Sequence, residues 1–114
     1  MAADACSLFA RLRTACGQGW ADFVGHPFVR LLAAGTLDER CFRRYLSQDY
    51  LFLIHFARAY GLAAFKAETI ADIRAAACGL SAMIEQEMRL HIEYCRGWGL
   101  SEAEMAVAEE ADAT

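Results

Sequence analysis

Asp49 opens a run of large apolar side chains, Gln48-Asp49-Tyr50-Leu51-Phe52-Leu53-Ile54-His55-Phe56-Ala57-Arg58. A carboxylate in such company must be hydrogen-bonded, paired or reserved for a ligand, because burying it alone is costly. Two readings stand side by side. With Tyr45, Tyr50, Phe52 and Phe56 nearby, Asp49 could hold a planar, amine-bearing ring by stacking and by hydrogen bonds to ring nitrogens. It could equally be a carboxylate at the edge of the core, satisfied by Arg43, Arg44 or a backbone group.

Glu87 and His91 are the second candidate pair, four residues apart and therefore neighbours on a helix. With Asp49 they could in principle ligate a metal inside a helical bundle. The spacing argues against it, since no Glu-x-x-His occurs. The plainer reading is a surface ion-pair set that includes Arg89. His55 reads as a satisfied core histidine. Cys41, Cys78 and Cys95 fall at helical positions among apolar residues and read as small hydrophobes. None of them has a local motif that would lower its pKa, so none is nominated as a nucleophile.

The elements that must position these groups are all helical. The apolar run around Asp49 extends from Phe42 to Phe65 with no Pro, too long for a buried strand. On a helix Asp49, Phe52, Leu53 and Phe56 share one face. A helix apolar nearly all round is a central one, packed on several sides. Upstream, about Asp4 to Phe23 reads as a first helix, weakened near its end by Gly17 and Gly19. Pro27 suits the first turn of a short helix to about Ala34, with Gly35 as its C′ residue. Thr36 to Glu39, Thr69 to Asp72 and Ser101 to Glu104 each match a capping box. They open the central helix to about Lys66, a second long helix to about Arg96, and a short final one. A connection of a few residues makes the two long helices an antiparallel hairpin. Gly61 and Gly79 inside them either weaken the helices or allow a close backbone approach.

Composition bounds the rest. The 114 residues are one domain at most, 57% of them apolar, with a single Pro. An all-α fold follows, with more apolar surface than a small monomer readily buries. Net charge is −4 and the basic residues are scattered, which argues against nucleic-acid binding. No long charge-free apolar run suggests a membrane span, and residues 1–13 lack the pattern of a secretory leader. Five widely spaced cysteines without C-x-x-C suggest neither a disulfide framework nor a zinc site. A reduced, cytoplasmic protein is expected. The acidic stretch from Glu102 to Asp112 reads as a solvated face or helix end.

The order His26-Pro27-Phe28-Val29, Gly35-Thr36-Leu37, Phe42-x-x-Tyr45-Leu46-x-Gln48-Asp49-Tyr50-x-Phe52-Leu53-x-x-Phe56-Ala57 and Glu87-Met88-x-x-His91 resembles the TenA/thiaminase II family. Agreement runs from about Trp20 to Ser101, and the Gln-Asp-Tyr block after Gly-Thr-Leu is its most specific part. The resemblance implies a haem-oxygenase-like helical bundle, usually a homotetramer. It also implies hydrolysis of aminopyrimidines, with salvage of the hydroxymethyl pyrimidine for thiamine synthesis, and in some members cleavage of thiamine. No cofactor and no metal are implied. Asp49 then corresponds to the aspartate that hydrogen-bonds the pyrimidine, Phe52 falls where many members carry Tyr, and His91 supports the pocket.

Family members run to roughly twice this length, so the resemblance makes residues 1–114 the N-terminal part of one domain, with the C-terminal half missing. The family's nucleophilic Cys, a supporting Tyr and a proton-transferring Glu lie in that second half. The expected chemistry is thiolate attack on the electron-poor pyrimidine with acid assistance to the departing amine. Asp49 would position the ring and stabilise developing charge. A fragment of a longer enzyme, a split protein and a shortened binding paralogue are the three explanations of the length, and the first is preferred. Two other classes remain open: a non-catalytic pyrimidine-binding or interaction protein, and a haem-oxygenase-like metal oxidase.

Overall fold

The structure is a computed structural model that describes residues 7–111. It is helical throughout, with no strand among the described residues, and it divides after Asp38 into two compact units.

The first unit contains α1 (Leu8–Cys16), α2 (Gln18–Val24) and α3 (Pro27–Ala34). The expected single first helix is in fact two. Gly17 takes φ +52°, a conformation glycine adopts cheaply, and the chain breaks there. The expected start at Asp4 lies outside the described residues. Within this unit Phe9 and Trp20 meet edge to face at 5.7 Å. Pro27 occupies the first turn of α3, and the Nδ1 of His26 accepts the Phe28 N–H at 3.1 Å as an N-cap. Gly35 ends α3 at φ +71°, with Thr36 N–H on the Leu31 carbonyl and Gly35 N–H on Leu32. That pair of bonds is the Schellman arrangement. It also explains why the Thr36–Glu39 capping box does not form. Thr36 is committed to closing α3, its hydroxyl also reaches the Leu31 carbonyl, and the Glu39 carboxylate pairs with Arg43 at 2.8 Å instead.

The second unit is built on α4 (Glu39–Lys66). The chain turns at residues 67–69 and returns as α5 (Ile70–Ala82), a π-helical turn (Met83–Glu87) and α6 (Met88–Arg96). Thr69 caps α5 through the Asp72 N–H at 3.1 Å, and its hydroxyl donates to the Asp72 carboxylate. The hairpin is antiparallel as expected: Tyr60 meets Gly79, and Asp49 meets His91. A short α7 (Glu102–Ala106) carries the complete Ser101–Glu104 capping box.

The core lies where α4, α6 and α7 converge. Leu46, Tyr50, Leu51, Cys95 and Met105 are buried there, with Phe42, Ile54, Met88 and Ile92 packed against them. Tyr50 donates to the Glu102 carboxylate at 3.3 Å across that core. Within this unit α5, α6 and α7 pack against α4, which is not, as was expected, covered all round. Its other face leaves Phe52, Phe56 and Phe65 open to solvent. Gly79 is a close approach, because a Cβ there would collide with the Tyr60 ring; Gly61 has open space.

Candidate functional site

Asp49 and His91 are brought together from α4 and α6. His91 Nε2 lies 2.7 Å from Asp49 Oδ2, and His91 Nδ1 lies 2.8 Å from the Glu87 carbonyl oxygen. The side chains are 10% and 22% exposed for His91 and Asp49, so the contact is largely sheltered from water. Among the described residues the partner of Asp49 is His91 rather than Arg43 or Arg44. Arg43 is engaged with Glu39, and its guanidinium sits over the Trp98 ring at 4.9 Å.

The π-helical turn makes this meeting possible. Met88 N–H bonds to the Met83 carbonyl five residues back, which inserts one residue into the ladder. At about 100° per residue, an uninterrupted helix would place His91 and Cys95 roughly 60° and 100° away from the bearing of Ala76. The extra residue, about 100°, brings Cys95 onto that bearing and carries His91 to about 40° on its other side. All three are buried as a result. No sequence signal marked this turn. The hairpin itself did carry the information that residues near 87–91 lie level with Asp49.

Asp49 shares its face of α4 with a ladder of rings. Phe52 and Phe56 have centroids 5.6 Å apart, and Phe56 and Tyr60 are 5.1 Å apart. Phe52 is half exposed, and Phe56, Ala59, Tyr60 and Ala63 line a shallow open groove. The groove begins about two turns beyond Asp49 and does not enclose it. Tyr45, one turn before Asp49, feels the site electrically. Burial first, then the negative charge of Asp49, push its phenol above the ordinary value.

The remaining sequence candidates fall elsewhere. His55 is not a core histidine: it is exposed, on the side of α4 where Glu110 pairs with it at 2.7 Å. Cys41 and Cys78 are exposed rather than packed, as is Cys16. Cys95 alone of those expected hydrophobes is buried, and burial pushes its thiol up, the wrong direction for a nucleophile. Cys6 lies outside the described residues. Arg89 pairs with Glu85 rather than with Glu87 or His91. Among the described residues no three His, Cys, Asp or Glu side chains are grouped to hold a metal ion, and no helix is long and apolar enough to cross a membrane. Asp112 of the acidic stretch also lies outside the described residues. Glu102, Glu104 and Glu110 of that stretch bond to Tyr50, to the Ser101 backbone and to His55.

A residue that the sequence reading passed over is Gln48. Its amide Nε2 donates to the Glu109 carbonyl at 3.0 Å, and its Oε1 accepts the Ala111 N–H at 2.9 Å. One side chain thus reads two backbone groups of the final stretch and holds it beside α4, next to Asp49 in sequence.

Known proteins resemble this chain over most of its length. Residues 14–114 match the model of the TENA/THI-4/PQQC family. A Haemophilus influenzae protein described as uncharacterised is 44% identical over 94 residues, covering 82% of this chain and 43% of its own length. An aminopyrimidine aminohydrolase of Helicobacter pylori is 35% identical over 86 residues, covering 75% of this chain and 40% of its own. The crystal structure of a TenA family transcription regulator from Silicibacter sp. TM1040 superimposes with a TM-score of 0.87 at 39% identity, over 93% of this chain and 47% of that one. The chain therefore spans about half the length of these relatives, and it belongs to the TENA/THI-4/PQQC family.

Proposed function

We propose that this chain supplies the ring-binding half of a site that hydrolyses aminopyrimidines, in the manner its named relatives suggest. The observation that carries the reading is a sheltered carboxylate, Asp49, held at 2.7 Å by His91 beside the half-exposed ring of Phe52. A flat heteroaromatic ring can stack on Phe52 while its amino group donates to Asp49. Three relatives at 33–35% identity are named aminopyrimidine aminohydrolase, and that name is consistent with such a ligand.

The chemistry proposed is covalent. A thiolate adds to the electron-poor pyrimidine, an acid protonates the amine as it leaves the aminomethyl carbon, water adds to that carbon with loss of a proton, and expulsion of the thiolate releases the hydroxymethyl product. Asp49 orients the ring and stabilises the charge that develops on it. His91 supports Asp49. The nucleophile and the acid are assigned to the part of the fold that the longer relatives possess, as the family resemblance implies. Phe52 keeps a stacking face without a hydroxyl. Homo-oligomeric assembly and a cytoplasmic location belong to the same proposal.

The test is an NMR titration of the protein with an aminomethyl-substituted aminopyrimidine. Saturable shifts at Asp49, Phe52 and His91, lost in Asp49→Ala, are expected. A titration with no saturable change at those residues would sink the reading.

A further inference from the structure

We infer that His91 is a positioning residue that holds Asp49 in a pair sharing one proton and carrying no net charge, so that Asp49 meets its ligand with Oδ1 alone and favours a neutral hydrogen-bond donor over a cation. This rests on the ring-binding role proposed above for Asp49, and it concerns what kind of ring the site accepts.

The argument is a count of donors and acceptors. The Glu87 carbonyl can only accept, so His91 Nδ1, 2.8 Å away, must carry a hydrogen. Nε2 stands 2.7 Å from Asp49 Oδ2. Two bare lone pairs would repel at that distance, so a proton lies between them. With one hydrogen on Nδ1 and another between Nε2 and Oδ2, the ring is an imidazolium facing a carboxylate. Both ring nitrogens are then spent inside the chain. His91 has no ring nitrogen left for a ligand and acts through Asp49.

The consequence falls on Asp49. Oδ2 is committed, while Oδ1 has no hydrogen-bond partner among the described residues and the side chain keeps 22% of its exposure. The charge that would attract a cation is already matched by the imidazolium. The Glu87 carbonyl anchors the ring from the other side, and the π-helical turn ending at Glu87 is what brings the ring round to α4. A ligand that offers one N–H to Oδ1 from a neutral ring satisfies the remaining acceptor without adding charge. A cation would bring a second positive charge close to the imidazolium, which is unfavourable in a sheltered site.

Two measurements on the whole chain test this. The first is histidine 15N NMR of the ligand-free protein, with the His91 signals identified through His91→Gln. Hydrogens bonded to both ring nitrogens are expected in the wild type. A single ring hydrogen is expected in Asp49→Asn, where the amide can donate. A single ring hydrogen in the wild type would overturn the inference without touching the binding proposal. The second compares dissociation constants for 4-aminopyrimidine and benzamidine, a neutral and a cationic planar probe. Wild type should prefer 4-aminopyrimidine. In His91→Gln the amide can still hold Oδ2, yet the charge is gone, and preference should move toward benzamidine by about tenfold or more. An unchanged ratio would overturn the inference even with both ring hydrogens present. Failure of wild type to bind 4-aminopyrimidine, with both ring hydrogens present, would instead sink the binding proposal and leave the proton-sharing pair standing.

Discussion

The ring of Tyr60 lies across Gly79, where a Cβ would stand 2.6 Å from Cδ1 and 2.7 Å from Cζ. The ring also packs on Phe56, with centroids 5.1 Å apart, so it cannot simply swing away. Glycine in mid-helix ordinarily costs about 1 kcal/mol relative to alanine. Here the close approach of α5 to an aromatic ring on α4 requires it. Gly79→Ala should therefore destabilise the protein by about 1–3 kcal/mol, the usual cost of overpacking. The check is urea unfolding in two backgrounds. In Tyr60→Ala the same Gly79→Ala change should become stabilising, because only the helix propensity gain remains. Loss of stability in both backgrounds would show that something other than the ring forbids the methyl.

The helical hairpin was legible from the sequence because its signals are local: an unbroken apolar period from Phe42 to Phe65, a Thr69 cap, and a short turn. The errors have equally local causes. Thr36 closes α3 rather than opening α4, because its backbone bond to Leu31 competes with capping α4. His55 was placed in the core because its neighbours in sequence are apolar, yet on α4 it points to the side held by Glu110. Asp49 was recognised as the residue to explain. Its partner was not, because pairing across α4 and α6 depends on a π-helical turn that leaves no pattern in the Met83–Glu87 stretch.

Alkaline pH should loosen the second unit. Tyr50 has its phenol raised by burial first, then by the charge of Glu102 and by the hydrogen bond to it. Burial likewise raises the Cys95 thiol. Each group is protonated in the fold with a folded-state pKa above its ordinary value, 10.0 for the phenol and 9.0 for the thiol. Stability from such groups is fully present below the ordinary value and is lost as pH rises through the folded one. The free energy of unfolding should then be insensitive to these groups at neutral pH and fall from about pH 9 upward. Tyr50→Phe removes one of these groups and leaves Cys95 and the likewise raised Tyr45, at the cost of about 0.5–1.5 kcal/mol for the lost hydrogen bond. Its stability should decline less steeply over the same range. An identical slope would mean that Tyr50 does not carry the effect.

The final stretch is held by Gln48 and His55. Gln48 satisfies the Glu109 carbonyl and the Ala111 N–H, and His55 pairs with Glu110. The His55–Glu110 contact is exposed on both sides and contributes little. The amide bonds are the stronger restraint. Gln48→Ala should therefore speed hydrogen exchange at the Ala111 amide by about fivefold, the effect of losing a bond of about 1 kcal/mol. Exchange at the α4 amides should be unchanged. His55→Ala should alter the Ala111 rate much less. Equal effects from the two variants would mean that the His55–Glu110 contact, not the amide, holds the segment.

Asp49 and His91 should be coupled energetically as well as geometrically. His91 is 9% exposed, and its Nε2 has Asp49 as its partner across 2.7 Å. Asp49→Ala leaves a sheltered ring nitrogen without that partner, which costs about 1–3 kcal/mol. His91→Ala leaves a carboxylate in the same position and opens space beside Cys95, so its cost should be at least as large. The double variant removes both polar partners and should be less destabilised than the two single changes together. A double-mutant cycle by urea unfolding measures the difference, expected at about 1–3 kcal/mol of favourable coupling for residues in direct contact. Strict additivity would mean that the 2.7 Å contact contributes nothing beyond the two side chains' separate packing. Coupling of the expected size would establish that α4 and α6 are tied through the same two groups that are proposed to meet the ligand. Tightening of that tie by a bound ring would then appear as a rise in stability that Asp49→Ala abolishes.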